Sequence, residues 1–214
     1  MILAVGATGI LGSEICSQLR RAQARVRALV RQSANPDRLA VLRNAGVELC
    51  IGDLKDPASL RRACEGVEVV ISTASSTLSR QDGDSIETVD RVGQLSLIEA
   101  ARAAGIKYFT LVSIPRQPIR ESPLTRAKAE VERTLVASGL DHTILAANFF
   151  MEVWLSPALG FDVPHRKAVI FGDGNARISW ISYHDVAEFA ILRTRRQSSL
   201  IMDVLIARGS SNII

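Results

Sequence analysis

Short apolar runs and longer amphipathic stretches alternate along the first 147 residues of the chain. The apolar runs fit buried strands, and the stretches between them repeat apolar side chains at helical spacing, often up to a glycine. Asp56-Pro57 is typical of such a helix start, because aspartate caps the first turn and proline fits the first helical position. The pattern predicts strands over 1–6, 26–30, 47–51, 67–73, 107–113 and 142–146, and helices over 10–24, 37–45, 57–65, 85–104 and 123–138.

This alternation predicts an α/β fold. Strands joined by helices run parallel through right-handed crossovers, and strands that are apolar throughout need both faces covered. We therefore expect a Rossmann-type, doubly wound parallel sheet over 1–147, within a single domain of 1–214. Prolines and glycines break 148–195 into short pieces, which we assign to a small, shortened substrate region.

The stretch between the first strand and the first helix carries the clearest chemistry. It contains three glycines at G-x-x-G-x-x-G spacing. The first glycine permits a tight turn, the second lets the backbone approach a phosphate, and the third packs helix against strand. Free N–H groups and the positive end of the helix dipole would face the anion. We expect this stretch to bind a dinucleotide pyrophosphate through Gly6, Thr8, Gly9, Ile10, Leu11 and Gly12.

The end of the second strand indicates which dinucleotide is bound. A site for NAD usually has an acid there for the ribose 2′-hydroxyl, but Val30, Arg31, Gln32 and Ser33 include none. A guanidinium pairs well with a phosphate, and the Ser33 hydroxyl could add a hydrogen bond. We predict NADP(H) over NAD(H) through Arg31, with a solvated surface arginine as the alternative.

Composition excludes several other classes of protein. The 214 residues are 47% hydrophobic, which suits a packed core, yet no apolar run approaches the roughly 18 residues of a membrane span. The net charge of +4 comes with scattered arginines and no nucleic-acid-binding motif. No secretion signal or metal-ligand spacing is present. We expect a cytoplasmic protein with no metal, no membrane segment and no nucleic-acid partner, and with free thiols at Cys16, Cys50 and Cys64.

Eight segments of 1–190 carry a family resemblance in their order. They are GATGILG, VRALVR, GVELCIGDLKDPASL, GVEVVIS, AGIKYFTLVSI, SPLTRAKAEVERTLVASGLDHTIL, NFFMEVW and WISYHDVAEFA. Together they resemble the NmrA-like proteins, which are atypical short-chain dehydrogenases/reductases. The resemblance implies a nicotinamide dinucleotide and a carboxy-terminal substrate region. Its members include quinone and isoflavone-type reductases, and regulators that bind the dinucleotide without turning it over.

The resemblance also implies roles around the adenine and the nicotinamide. Asp53 would reach the adenine amino group, with Leu54 beside the ring, although a turn-capping aspartate is the alternative. Asn148 and Phe149 would lie by the nicotinamide. The small residues Ala74 and Ser75 end the fourth strand, at the sheet edge where ligands bind, with a plain loop start as the alternative. An apolar or aromatic substrate would contact Phe150, Met151, Trp154 and Phe161, unless these aromatics fill the core.

Lys128 matches the family's lysine, but the usual proton donor is missing. In active short-chain dehydrogenases a tyrosine four residues earlier gives the proton, and the matching residue here is Leu124. The supporting serine would match Ser113. Lys128 would bind the ribose or relay a proton, whereas a surface lysine paired with Glu132 is the alternative.

Two functions therefore compete. One is an NADPH-dependent reductase of a small quinone or carbonyl compound, and the other is a non-catalytic NADP(H) sensor that acts through a protein partner. A scaffold that has lost the nucleotide is a third, against which the glycine turn argues. Family members run past 214 residues, so we expect a short member, a truncation or a frame change near residue 195. In that reading 198–207 is one strand, 208–214 is an unstructured tail, and a homodimer could cover exposed apolar surface.

Overall fold

The computed structural model describes residues 1–77, 79, 81–115, 122–170, 172–175, 177–195 and 202–204. The first six strands are β1 (Ile2–Val5), β2 (Val26–Val30), β3 (Glu48–Ile51), β4 (Val69–Ser72), β5 (Tyr108–Ser113) and β6 (His142–Ala146). The helices between them are α1 (Ile10–Arg21), α2 (Pro36–Asn44), α3 (Pro57–Cys64), α4 (Gln94–Ala103) and α5 (Pro123–Ala137). These elements follow one another in the predicted order.

Short elements follow β6. They are β7 (Phe149–Phe150), α6 (Met151–Trp154), a 3₁₀ turn (Pro157–Leu159), β8 (Phe161–Asp162), β9 (Lys167–Ala168) and β10 (Trp180–Ile181). The longer α7 (Tyr183–Arg195) and the strand β11 (Met202–Val204) come last. β11 lies inside the strand predicted over 198–207. The rest of that range and the predicted tail 208–214 are outside the described residues.

One parallel sheet organises the molecule. Its strand order is β11-β6-β5-β4-β1-β2-β3, and every neighbouring pair is parallel. The chain runs outward from β1 to β3 and then returns to the other side of β1 with β4. The strand order reverses at this point, so a crevice opens beyond the carboxyl ends of β1 and β4, where α/β sheets bind their ligands. The predicted Rossmann-type fold is confirmed.

Two apolar layers cover the sheet. Along β1, Leu3 and Val5 face one layer and Ala4 faces the other, as the two-residue repeat of a strand requires. The first layer is completed by α3, α4 and α5, and the second by α1, α2 and α7. In the second layer Val186, Ala187 and Ala190 of α7 pack with α1 and are fully buried. The last long helix is therefore part of the core.

The segment before α4 differs from the helix predicted over 85–104. Residues Ile86–Gly93 form a π-helix that leads into α4. Ser85 and Thr88 hydrogen-bond reciprocally at its start. A Cβ atom at Gly93 would lie 2.9 Å from Leu54 Cβ, so the glycine permits close packing against the chain after β3. The wider turn buries Asp90, a position that helical periodicity alone would not single out.

Candidate functional site

The three glycines of the turn after β1 have different surroundings. A Cβ atom at Gly6, where φ is +86°, would lie 2.7 Å from Ala74 N, and one at Gly12 would lie 2.2 Å from Gly6 O. Both positions are thus closed by neighbouring backbone. Gly9 is exposed, and a Cβ atom there would meet only Gly6 O, at 3.2 Å. The middle glycine is therefore the one that presents bare backbone to the crevice.

The N-terminus of α1 follows this turn and has no side-chain cap. Gly9 stands at the N-cap, and the first turn has no acidic residue. By contrast, α2, α3 and α5 are capped by Asn35, Asp56 and Ser122. The first N–H groups of an α-helix have no partner inside the helix, so those of α1 are available to an anion. Ile10 is exposed beside them, whereas Leu11 is buried in the core.

A basic side chain that sequence reasoning missed lies against the glycine turn. Arg38, in the first turn of α2, donates a hydrogen bond from Nη1 to Thr8 O. It lines a cleft of about 250 Å³ together with Thr8, Gly9, Ser13 and Tyr183. No local motif marks Arg38, because its position against the turn depends on how α2 packs.

The ends of β2 and β3 bring together two cations and an acid. Arg31 Nη1 lies 2.5 Å from Asp84 Oδ2, and Lys55 Nζ lies 2.7 Å from Asp84 Oδ1. Ser79 Oγ also donates to Asp84 Oδ2. Partial burial acts to raise the pKa of Asp84, but the hydrogen bonds from Lys55, Ser79 and Arg31 outweigh it and lower the pKa to about 2. Arg31 is therefore held in an ion pair with Asp84, while 32% of its side chain stays exposed.

Ser33, which was expected to assist Arg31, is hydrogen-bonded to the segment after β4. Ser33 Oγ donates to Gln81 Oε1 at 2.7 Å, and Gln81 Nε2 donates to Ser33 O at 3.3 Å. Residues 79 and 81–84 thus lie over the ends of β2 and β3. Sequence reasoning found Arg31 and Ser33 but missed Lys55 and Asp84, since nothing local links segments this far apart.

Asp53 makes the contacts of a turn residue. Its Oδ1 accepts a hydrogen bond from Lys55 N at 2.9 Å, and its Oδ2 lies 3.8 Å from Lys55 Nζ. This is the capping alternative of the sequence analysis, and the adenine contact stays a prediction. Leu54 is buried in the core cluster that also contains Val89.

The chain after β4 forms the other wall of the crevice. Ala74 is half-buried beside Gly6, and its carbonyl accepts a hydrogen bond from Gln94 Nε2 at 3.0 Å. Ser75 is exposed, and its hydroxyl lies 2.8 Å from that of Thr77. Both predicted residues therefore lie at the sheet edge, next to the glycine turn.

Lys128 is buried and paired with an acid from another element. Its Nζ lies 3.2 Å from Asp90 Oδ1, and the two side chains are 5% and 0% exposed. The other oxygen, Asp90 Oδ2, accepts hydrogen bonds from Ser76 N at 2.9 Å and Ser76 Oγ at 2.6 Å. The surface-lysine alternative is wrong, because the π-helix and α5 enclose the amine at the end of β4.

Ser113 and Leu124 occupy the other two positions that the resemblance places in the catalytic region with Lys128. Ser113, at the end of β5, is buried, and its Oγ donates to Glu132 Oε1 at 2.5 Å. Leu124 is half-buried in the first turn of α5. The region thus holds an amine, two carboxylates and hydroxyls, but Leu124 brings no proton donor to it.

The residues expected beside the nicotinamide and substrate form an aromatic group. The ring of Phe149 lies 4.9 Å from that of Trp154 and 6.1 Å from that of Trp180. Phe150 packs on the core, with its ring 6.5 Å from that of Tyr183, as the core-filling alternative has it. Of the other residues predicted to contact the nicotinamide or the substrate, Asn148 and Phe161 are half-buried, whereas Met151 and Trp154 are exposed.

The described part of the chain contains no helix that is long and apolar enough to cross a membrane. Within the same residues, no three His, Cys, Asp or Glu side chains are grouped so as to hold a metal ion. All three cysteines are free thiols. Burial raises the pKa of Cys16 to about 12 and that of Cys64 to about 11, which makes both unreactive.

Known proteins resemble this chain over most of its length. A photosystem II assembly factor, Ycf39, of Trieres chinensis is 30% identical over 191 residues, which are 89% of this chain and 58% of that protein. An NAD(P)H azoreductase of Xenophilus azovorans is 31% identical over 193 residues, 89% of this chain and 62% of that protein. The chain therefore spans less than two thirds of the length of both curated relatives.

A solved structure has the same fold. The NADPH-dependent quinone oxidoreductase of Escherichia coli, crystallised with NADPH, matches with a TM-score of 0.74 and 26% sequence identity, over 93% of this chain and 66% of that one. The model of the NmrA-like family matches residues 1–208. The sequence resemblance is thereby confirmed, and the chain belongs to the NmrA-like family.

Proposed function

We propose that this protein binds NADP(H) in the crevice between the glycine turn and the end of β4. The observation that carries the proposal is the uncapped N-terminus of α1, which opens beside Gly9 at the point where the strand order reverses. A pyrophosphate would accept hydrogen bonds from these N–H groups. Arg31 and Lys55 would supply positive charge for the 2′-phosphate, which favours NADP(H) over NAD(H).

The same site supports reduction of a small quinone or carbonyl compound. NADPH, when bound, supplies a hydride, and the protein's part is to position the acceptor. Lys128 would donate hydrogen bonds to the nicotinamide ribose or to the acceptor oxygen, and Asp90 holds its Nζ in place. Phe149 and Trp154 offer apolar surface to an aromatic acceptor. The relatives named as azoreductase and quinone oxidoreductase support this class of substrate.

A second candidate is a non-catalytic NADP(H) sensor that binds a regulatory protein partner. Leu124 favours it, because the proton donor of active short-chain dehydrogenases is missing. The similarity to a photosystem II assembly factor points the same way. In this case partner binding would change with the redox state of the nucleotide.

Turnover separates the two candidates. The wild type and Lys128→Met are each mixed with NADPH and a panel of quinones and azo dyes. The fall in NADPH absorbance measures the rate of oxidation. The reductase predicts turnover with at least one acceptor and a loss of roughly tenfold or more in Lys128→Met. Background rates with every acceptor, together with measurable NADP⁺ binding, would contradict the reductase and leave the sensor.

A further inference from the structure

Asp84 occupies a site that suits a larger anion. Its carboxylate accepts from a guanidinium, an ammonium and a hydroxyl, those of Arg31, Lys55 and Ser79. Two cations and a hydroxyl donor are also the groups that bind a phosphate monoester. The side chain of Asp84 is 3% exposed, so the protein's own carboxylate already fills the space between these donors.

This arrangement lies where a 2′-phosphate would bind. Arg31 directly follows β2, the strand whose end meets the adenosine ribose in this fold. A phosphate that approached Arg31 and Lys55 would come close to Asp84, and two anions at one site repel each other. A ribose with a free 2′-hydroxyl brings no such charge.

We propose that Asp84 is a specificity-determining residue that competes with the 2′-phosphate for Arg31 and Lys55, and so lowers the preference for NADP(H) over NAD(H). The inference rests on the proposed binding of NADP(H). Binding of the 2′-phosphate displaces the carboxylate, and the segment around it opens. The backbone hydrogen bond that this opening would affect most is the one that Asp84 N donates to Gln81 O, at 3.2 Å.

Calorimetric titration of the full chain with NADP⁺ and NAD⁺ tests the competition. Asp84→Asn keeps the shape of the side chain and removes its charge. Asp82→Asn is the matched control, since it removes the same charge from an exposed side chain two residues earlier. We expect Asp84→Asn to raise the ratio of NADP⁺ to NAD⁺ affinity by roughly tenfold, and Asp82→Asn to change it by less than about twofold. The gain should shrink when Arg31→Ala is also present.

Hydrogen exchange of the wild type tests the displacement without any substitution. Amides 81–85 should exchange faster in the NADP⁺ complex than in the NAD⁺ complex. An unchanged or lower affinity ratio in Asp84→Asn would overturn the proposal, and, should that variant not fold, equal or slower exchange with NADP⁺ would do so. A wild type that binds neither dinucleotide would overturn the proposed function as well, so the two failures are distinguishable.

Discussion

At the scale of single residues, the structure differs most from sequence expectation in its charge pairs. Arg31 was singled out by its position at the end of the second strand, and Lys128 by the family resemblance. Their partners, Asp84 and Asp90, lie 53 and 38 positions away along the chain. Neither composition nor periodicity specifies pairings between distant segments, so these acids could not be predicted.

The buried pair of Lys128 and Asp90 should stabilise the fold only while both charges remain. We expect Asp90→Ala to lower the free energy of unfolding by about 3 kcal/mol, because it leaves a buried ammonium without its acid. Urea unfolding measures the change. The double variant Asp90→Ala/Lys128→Met should recover most of it, whereas equal loss in the single and double variants would contradict a charge-based cause.

The acid limit of stability should depend on Asp84. Its folded-state pKa of about 2 lies below the ordinary 3.8, so its contribution is present above about pH 4 and is lost as the pH falls towards 2. We expect Asp84→Asn to be less stable than the wild type by roughly 1–2 kcal/mol at pH 6, and by much less at pH 2. Chemical unfolding at the two pH values checks this, and a pH-independent difference would argue against the ion pairs.

At the scale of elements, the strands and helices with a clear apolar repeat were predicted from the sequence, and the elements without one were missed. Six strands and the helices between them follow from apolar periodicity and from glycines at helix ends. The π-helix before α4 was predicted as an ordinary helix, because its residues are amphipathic at the α-helical period. The short strands β7 to β10 contain two residues each, too few for any pattern to appear.

The glycine turn predicts opposite behaviour for two similar substitutions. Gly12→Ala places a Cβ atom 2.2 Å from backbone, so we expect a loss of about 2 kcal/mol or more in unfolding free energy. Gly9→Ala meets only Gly6 O, at 3.2 Å, and should fold nearly normally while binding NADP⁺ at least about tenfold more weakly. Thermal unfolding measures the loss of stability, and calorimetric titration measures the change in NADP⁺ affinity. Normal NADP⁺ affinity in a folded Gly9→Ala protein would show that the nucleotide does not approach this backbone.

At the scale of the whole molecule, the chain after residue 147 serves two purposes. Helix α7 completes the layer beside α1, and β11 extends the sheet next to β6. The short elements between β6 and α7 carry the aromatic group and several exposed apolar side chains, including Val163, Val169 and Ile170. Their assignment to the substrate side and the homodimer that would cover such surface stay predictions.

Arg31 is the residue through which we propose that the crevice selects NADP(H). The most direct test of this proposal is calorimetric titration of the wild type and Arg31→Ala with NADP⁺ and NAD⁺ side by side. We expect tighter binding of NADP⁺ by the wild type and a loss of that preference by roughly ten- to hundredfold in Arg31→Ala, with NAD⁺ binding retained. An NADP⁺ preference that survives in Arg31→Ala would contradict the proposal.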